Sequence, residues 1–163
     1  MAESYEIVFQ QVAIGDLLAL LKTLEASSKS ISDLAVSEGI EGLDFYGIER
    51  RLIDAISAYE GDVCLTELLH GFRVSEGIIL PYALLRAIKY NEGVDVELSF
   101  VEIPSADICC VMLAMQAYGD SLSKKFSMAE FYGGLEPAED VDTRYFTGEF
   151  FGPLGLLNSF PKN

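Results

Sequence analysis

The sequence is poor in basic residues. Only 11 of its 163 residues are lysine or arginine, against 26 aspartates and glutamates, so the formal charge is −15. The basic residues are scattered, and no basic stripe is available to follow a phosphate backbone. A surface with this charge repels nucleic acid and anionic lipid heads, so we expect neither as a partner.

Motifs for catalysis are missing. His70 is the only histidine, and no serine or cysteine stands beside it in a recognised signature. A nucleophile that is distant in sequence could still lie beside His70 in the fold, and that alternative stays open. We expect a structural role for His70. The sequence predicts a protein that is not an enzyme.

Sites for metals and phosphates are missing as well. No second cysteine pair or histidine cluster accompanies Cys109-Cys110 to complete a zinc site. The acidic run 136–142 lacks the spaced aspartates and central glycine of a calcium loop. The pair Gly133-Gly134 is not followed by the lysine of a phosphate-binding loop. We therefore expect no cofactor and no metal.

Long hydrophobic runs and paired cysteines are absent too. The longest apolar run, residues 108–115, is far below the roughly 18 residues that cross a bilayer. Three cysteines are an odd number, so no disulfide framework is indicated, and Cys109 and Cys110 are predicted to be small core residues. The first residues lack the basic start of a signal peptide. These observations predict a cytoplasmic protein.

What the sequence does contain is apolar residues, which make up 50% of the chain. A disordered acidic chain is poor in such residues, so the carboxylates must coat a folded core. The length predicts one globular domain over residues 1–163. The excess negative charge then lies on a folded surface, where it attracts a basic partner and accelerates the encounter with it.

Hydrophobic spacing predicts an α+β fold with a mixed or antiparallel sheet and helices on one side. Strands are expected over 5–12, 31–37, 94–101 and 126–132, and helices over 16–26, 48–59 and 107–115. The middle of the chain is predicted to insert a helix, a hairpin over 63–74, and a helix from Pro81 to Lys89.

An internal likeness suggests how these elements are arranged. An offset of 91 residues superposes Phe9 on Phe100, and Leu17 on Ile108. Two β-α-β halves sharing one sheet would resemble a ferredoxin-like fold. Any two amphipathic β-α units align comparably, however, and that interpretation stays open.

The candidate binding surface is the acidic stretch 136–149, which is flanked by aromatic residues. This combination is common at protein interfaces. A solvated loop is the alternative interpretation. We predict that this stretch contacts a partner together with the acids beside Gly39 and Gly42. The predicted contact residues are Glu38, Glu41, Asp44, Glu136, Glu139, Asp140, Asp142, Tyr145 and Glu149. The apolar C-terminal residues 146–157 are expected to pack on the core, or else to form a docking segment.

Several segments of the second half resemble bacterial immunity proteins of contact-dependent growth inhibition. The segments are Leu80-Pro81, Leu84-Leu85-Arg86, Lys89-Tyr90, Gly93-Val94-Asp95, Phe131-Tyr132-Gly133-Gly134-Leu135-Glu136-Pro137 and Thr143-Arg144-Tyr145-Phe146. The resemblance implies a small cytosolic antidote that binds a cognate toxin domain, commonly a basic nuclease, and it implies no catalytic residues.

Two hypotheses therefore follow. The first is an immunity protein that neutralises a basic nuclease toxin by charge-complementary occlusion. The alternative is a small acidic α+β domain with a metabolic or adaptor role and a ligand pocket between sheet and helices. The sequence does not give the toxin's activity, the strand order or the oligomeric state.

Overall fold

The computed structural model describes residues 3–38, 47–91 and 93–159. The strands are β1 Ser4–Gln10, β2 Ser30–Val36, β3 Val63–Ser75, β4 Ile78–Tyr90, β5 Gly93–Val101, β6 Glu130–Leu135, β7 Arg144–Thr147 and β8 Phe150–Phe151. The helices are α1 Ile14–Ala26, α2 Arg50–Ala58, α3 Ile108–Lys125 and α4 Pro153–Ser159. The predicted α+β class is confirmed.

All eight strands form one antiparallel sheet in the order β2-β3-β4-β5-β1-β6-β7-β8. Strands β5 and β6 flank β1 and are joined by α3, so the second half is a split β-α-β unit. In the first half, three strands separate β1 from β2. The ferredoxin-like arrangement of two matching halves is therefore not confirmed.

The two faces of the sheet differ because side chains alternate along each strand. On β1, Ile7 and Phe9 pack in the main core with α1 and α3, whereas Glu6 and Val8 point to the opposite face, which we call the open face. The core includes six residues that the pattern predicts to be buried: Phe9, Leu17, Leu20, Phe100, Val111 and Met115. Helices therefore cover one side of the sheet, as predicted.

The predicted helix from Pro81 to Lys89 is wrong, because this segment is part of β4. Ala83, Leu85 and Ala87 alternate toward the helices, and Leu84 and Ile88 lie half-buried on the open face. With apolar residues on both faces, the segment has no clear period of two, and periodicity alone does not distinguish it from a helix. The hairpin predicted within residues 63–74 is wrong as well, because these residues form the single strand β3, which pairs with β4. The inserted unit is therefore α2 followed by the β3–β4 hairpin.

Two smaller expectations also need correction. Strand β6 begins at Glu130 rather than Phe126, since α3 continues to Lys125. Cys110 is exposed on α3, and only its neighbour Cys109 is partly buried.

Among the residues that the structure describes, no helix combines the length and apolar character needed to cross a membrane.

Candidate functional site: the acidic end of the sheet

Three strand ends bring acidic residues together. The backbone N–H of Glu102, after β5, donates to the carbonyl of Glu3, before β1, at 3.0 Å. On the other side of β1, the N–H of Glu136 donates to the carbonyl of Ser4 at 3.0 Å. We call this region the acidic end; its carboxylates belong to Glu3, Glu102, Asp107, Glu136, Glu139, Asp140 and Asp142, all of them in exposed residues.

The connection between β6 and β7 carries four of these carboxylates, and we call residues 136–142 the acidic segment. It ends in a 3-10 turn, Val141–Thr143. The Thr143 hydroxyl lies within hydrogen-bond distance of two carbonyl oxygens, those of Pro137 at 3.0 Å and Asp140 at 2.7 Å. These contacts fold the segment back on itself, so that its acids face solvent.

Arg86 partly neutralises this region from the open face. Its Nη2 lies 3.1 Å from a carboxylate oxygen of Glu97 and 3.1 Å from one of Glu136. Burial raises the pKa of Glu97, and the charge of Arg86 offsets part of that shift. Glu136 is thus an ion-paired member of the acidic end, whereas Glu139, Asp140 and Asp142 form no ion pair that we observe among the described residues.

Tyr145, which we predicted to contact a partner, is buried rather than exposed. Its side chain is only 9% exposed and contacts Tyr5 edge to face, with ring centroids 6.2 Å apart. Burial raises the pKa of Tyr145, with further contributions from Cys109 and from the nearby acids Glu3, Asp107 and Glu102. Its ring therefore supports the acidic end from beneath.

The remaining predicted acids lie elsewhere. Glu38 follows β2, near Tyr59, and four strands separate β2 from β6, which corresponds to roughly 24 Å. Glu149 lies beyond β7, where it contributes after Asp120 to the raised pKa of Lys124. Glu38 and Glu149 therefore lie apart from the acidic segment and do not belong to the acidic end. Glu41 and Asp44 lie outside the described residues.

His70 has a structural environment. Its Nε2 lies 2.7 Å from the hydroxyl of Ser32, and its ring meets Tyr82 edge to face at 5.3 Å. The carboxylate of Asp33 accepts a hydrogen bond from Ser32. A catalytic triad instead requires the acid to orient the imidazole. Within the described ranges, no three potential metal ligands cluster.

The space between α3 and the C-terminal strands is too small to be the ligand pocket that the alternative hypothesis expects, although an open cleft of about 540 Å³ lies beside Val12, Lys89 and Val94. A cavity of about 20 Å³ lies between α3 and the C-terminal strands. Cys109, Met112, Tyr145 and Phe146 are among its lining residues. This volume holds about one water molecule.

Comparison with known proteins identifies the family of this chain. The family model of the PABL017 Cdi1I immunity protein matches residues 3–150. The chain belongs to this immunity protein family. The resemblance seen in the second half is thereby confirmed and extends over nearly the whole sequence.

A solved structure is similar as well. It is the 1.75 Å crystal structure of the toxic C-terminal tip of CdiA from Pseudomonas aeruginosa in complex with immune protein. The matched chain is 39% identical, with a TM-score of 0.89, and the match covers 94% of this chain and 99% of that one. No curated protein sequence matches.

Membership of the Cdi1I immunity family confirms that the protein is not an enzyme, and it favours an immunity protein over the metabolic or adaptor alternative. Sequence reasoning did not predict that Glu3, Glu102 and Asp107 lie at the acidic end. The available signal was that each acid adjoins the end of a predicted strand or the start of a predicted helix. Strand order was needed to recognise that these ends are neighbours.

Proposed function

We propose that this protein binds the toxic C-terminal tip of a CdiA effector and neutralises it. The observation that supports the proposal most strongly is the match over 94% of this chain to a chain from a complex of such a tip with its immune protein. An antidote must outcompete the toxin's target, which requires fast association and slow dissociation.

We further propose that the partner is a basic nuclease domain and that binding takes place in the cytoplasm. A nuclease presents a positive groove to its phosphate substrate, and the acidic end offers seven exposed carboxylates on the segments that adjoin the ends of β1, β5 and β6. Such charges steer a basic partner into encounter and then occlude its groove. The proposed contact residues are Glu136, Glu139, Asp140 and Asp142, joined by Glu3, Glu102 and Asp107.

The experiment measures association with the cognate toxin tip at several salt concentrations. The Debye length shrinks from about 30 Å at 0.01 M to about 8 Å at 0.15 M, so the association rate should fall steeply over this range. Reversing Glu139, Asp140 and Asp142 together to lysine should lower the rate and flatten its salt dependence. Thermal stability should hardly change, since exposed charges contribute about 1 kcal/mol or less each.

A matched control separates local from overall charge. The variant Asp54→Lys, Glu60→Lys and Asp62→Lys makes the same change in net charge at exposed positions on α2 and in the turn before β3. If recognition uses the acidic end, only the first triple variant should lose equilibrium affinity. Equal losses in both variants would indicate that net charge alone matters, and unchanged binding in both would place recognition elsewhere.

A further inference from the structure

Ala138 is an exception within the acidic segment. Its neighbours Pro137 and Glu139 are exposed, yet Ala138 itself is 0% exposed. It packs with Val8 and Tyr132 in a small apolar cluster. Because these two side chains lie on the open face, Ala138 anchors the middle of the segment to the sheet.

Glu6 holds one side of this anchor. It lies in the middle of β1, between β5 and β6, and its side chain is directed to the open face and is 5% exposed. Its Oε1 accepts a hydrogen bond from the backbone N–H of Ala138 at 2.7 Å. A hydrogen bond to a carboxylate at this distance is short and is expected to be among the stronger ones.

Arg144 holds the other side. Its Nε donates to the carbonyl of Ala138 at 2.8 Å, and its Nη2 donates to the carbonyl of Glu139 at 3.2 Å. The guanidinium lies over the ring of Tyr132, with Cζ 3.9 Å from the ring centroid. The N–H and C=O of Ala138 are thus held from opposite directions by the side chains of Glu6 and Arg144.

The hydrogen bonds to Ala138 oppose the tendency of the acidic segment to be mobile. The acidic segment carries four carboxylates and only one short 3-10 turn, in a protein of charge −15. Mutual repulsion and backbone entropy, roughly 1–2 kcal/mol per residue, favour a mobile segment. Segments ordered before binding avoid that cost when the complex forms.

We propose that Glu6 and Arg144 are positioning residues that hold the acidic segment in the conformation recognised by the toxin. The proposal rests on the proposed function, because it assigns these residues a part in the same binding surface. Neither side chain needs to touch the toxin. Their contribution is to keep Glu139, Asp140 and Asp142 in place through Ala138.

The test compares two substitutions of Glu6. Glu6→Gln retains an acceptor oxygen for the Ala138 N–H, whereas Glu6→Leu removes it. We expect Glu6→Leu to accelerate dissociation of the toxin tip about tenfold, the effect of one lost hydrogen bond, and Glu6→Gln to change it less than about threefold. Amide exchange at Ala138 in the unbound protein should accelerate only in Glu6→Leu.

A double-mutant cycle then tests whether Glu6 acts through the segment. Glu6→Leu is combined with the triple reversal of Glu139, Asp140 and Asp142, and dissociation is measured at one salt concentration for all four proteins of the cycle. If Glu6 positions these acids, its substitution should have little effect in that background. Val63→Ala, in the core on the helix side of β3, controls for lost stability and should leave dissociation unchanged.

The outcomes separate the two proposals. If the triple reversal weakens binding but Glu6→Leu leaves dissociation unchanged, the positioning role is wrong and the binding surface stands. Equal effects of Glu6→Leu in both backgrounds, or an effect matched by Val63→Ala, would also overturn positioning. If the triple reversal does not weaken binding, the acidic end is not the binding surface and the positioning role fails with it.

Discussion

The carboxylate of Glu25 on α1 accepts a hydrogen bond from the backbone N–H of Ile48, just before α2, at 3.0 Å. The other oxygen of Glu25 lies 2.8 Å from the ammonium group of Lys22. Both Glu25 and Ile48 are buried. Glu25 therefore satisfies a buried backbone donor and ties α1 to the start of α2.

A second buried carboxyl group faces this one, and it predicts a pH-dependent stability. Glu67 on β3 is 1% exposed, and neither of its carboxyl oxygens has a hydrogen-bond partner in the fold. Burial without a partner disfavours the charged form of a carboxyl group. Burial, and after it the nearby carboxylate of Glu25, raises the pKa of Glu67 from 4.5 to about 8, while Lys22 acts in the opposite direction.

The raised pKa of Glu67 should make the protein less stable as the pH rises. Between pH 4.5 and about 8 the unfolded chain loses a proton that the folded protein keeps. The free energy of unfolding should therefore fall in this window, by up to about 1.4 kcal/mol per pH unit. Glu67→Gln should remove this decline, since the amide is neutral at every pH and can donate to Glu25. Urea denaturation across the window measures both curves.

Exposed Glu76, in the β3–β4 turn, offers the matched control. Glu76→Gln should leave the pH profile of the free energy of unfolding as it is. Parallel profiles for Glu67→Gln and the unsubstituted protein would show that Glu67 is ionised in the fold.

The contact of α3 with the sheet predicts a strict size limit at Gly119. A Cβ there would lie 2.8 Å from Cδ1 of Ile7 and 2.9 Å from Cδ2 of Phe131. Gly119→Ala should therefore lower the free energy of unfolding by about 1–3 kcal/mol. Gly15→Ala on α1, where no atom lies within 4 Å of the added carbon, should be neutral or stabilising by up to about 1 kcal/mol. Similar values for the two variants would mean that α3 packs less closely than the structure shows.

The cysteines should differ in reactivity. Cys110 is exposed, whereas Cys64 and Cys109 are partly buried, and burial raises the pKa of the Cys64 thiol. A thiol reagent should modify one cysteine rapidly in the folded protein and the others slowly, because access and thiolate fraction control the rate. Cys110→Ser should abolish the rapid phase. A rapid phase that persists in this variant would contradict the exposure pattern.

Phe100 should be important for stability. It is buried on β5 and stacks on Tyr5 with ring centroids 5.9 Å apart. Phe100→Ala should cost about 3–5 kcal/mol, a large share of a typical stability of about 5–15 kcal/mol. Calorimetric unfolding measures this loss; Val101→Ala, at the exposed next position, should change stability little. A barely destabilised Phe100→Ala would show that the side chain is not part of the core.

How far the sequence predicts the fold depends on how each element is buried. Strand β5 has apolar residues on one face and mainly polar ones on the other, and its alternation predicts it closely. Buried residues recur at helical spacing on α1, at Leu17, Leu20, Leu21 and Leu24, and on α3, at Val111, Met112 and Met115. Strand β4 carries apolar residues on both faces, so its pattern does not separate strand from helix, and only pairing with β3 and β5 decides its structure.

The sequence by itself determined the acidic surface, the apolar core and the lack of catalytic or metal motifs, since composition and local periodicity express these directly. Only the tertiary structure decided which acids lie close together. Antiparallel pairing beside β1 brings Glu3, Glu102 and Glu136 to one end of the sheet and leaves Glu38 and Glu149 elsewhere. The bond from Ala138 to Glu6 spans 132 residues, and such long-range pairings depend on strand order, which local sequence patterns do not specify.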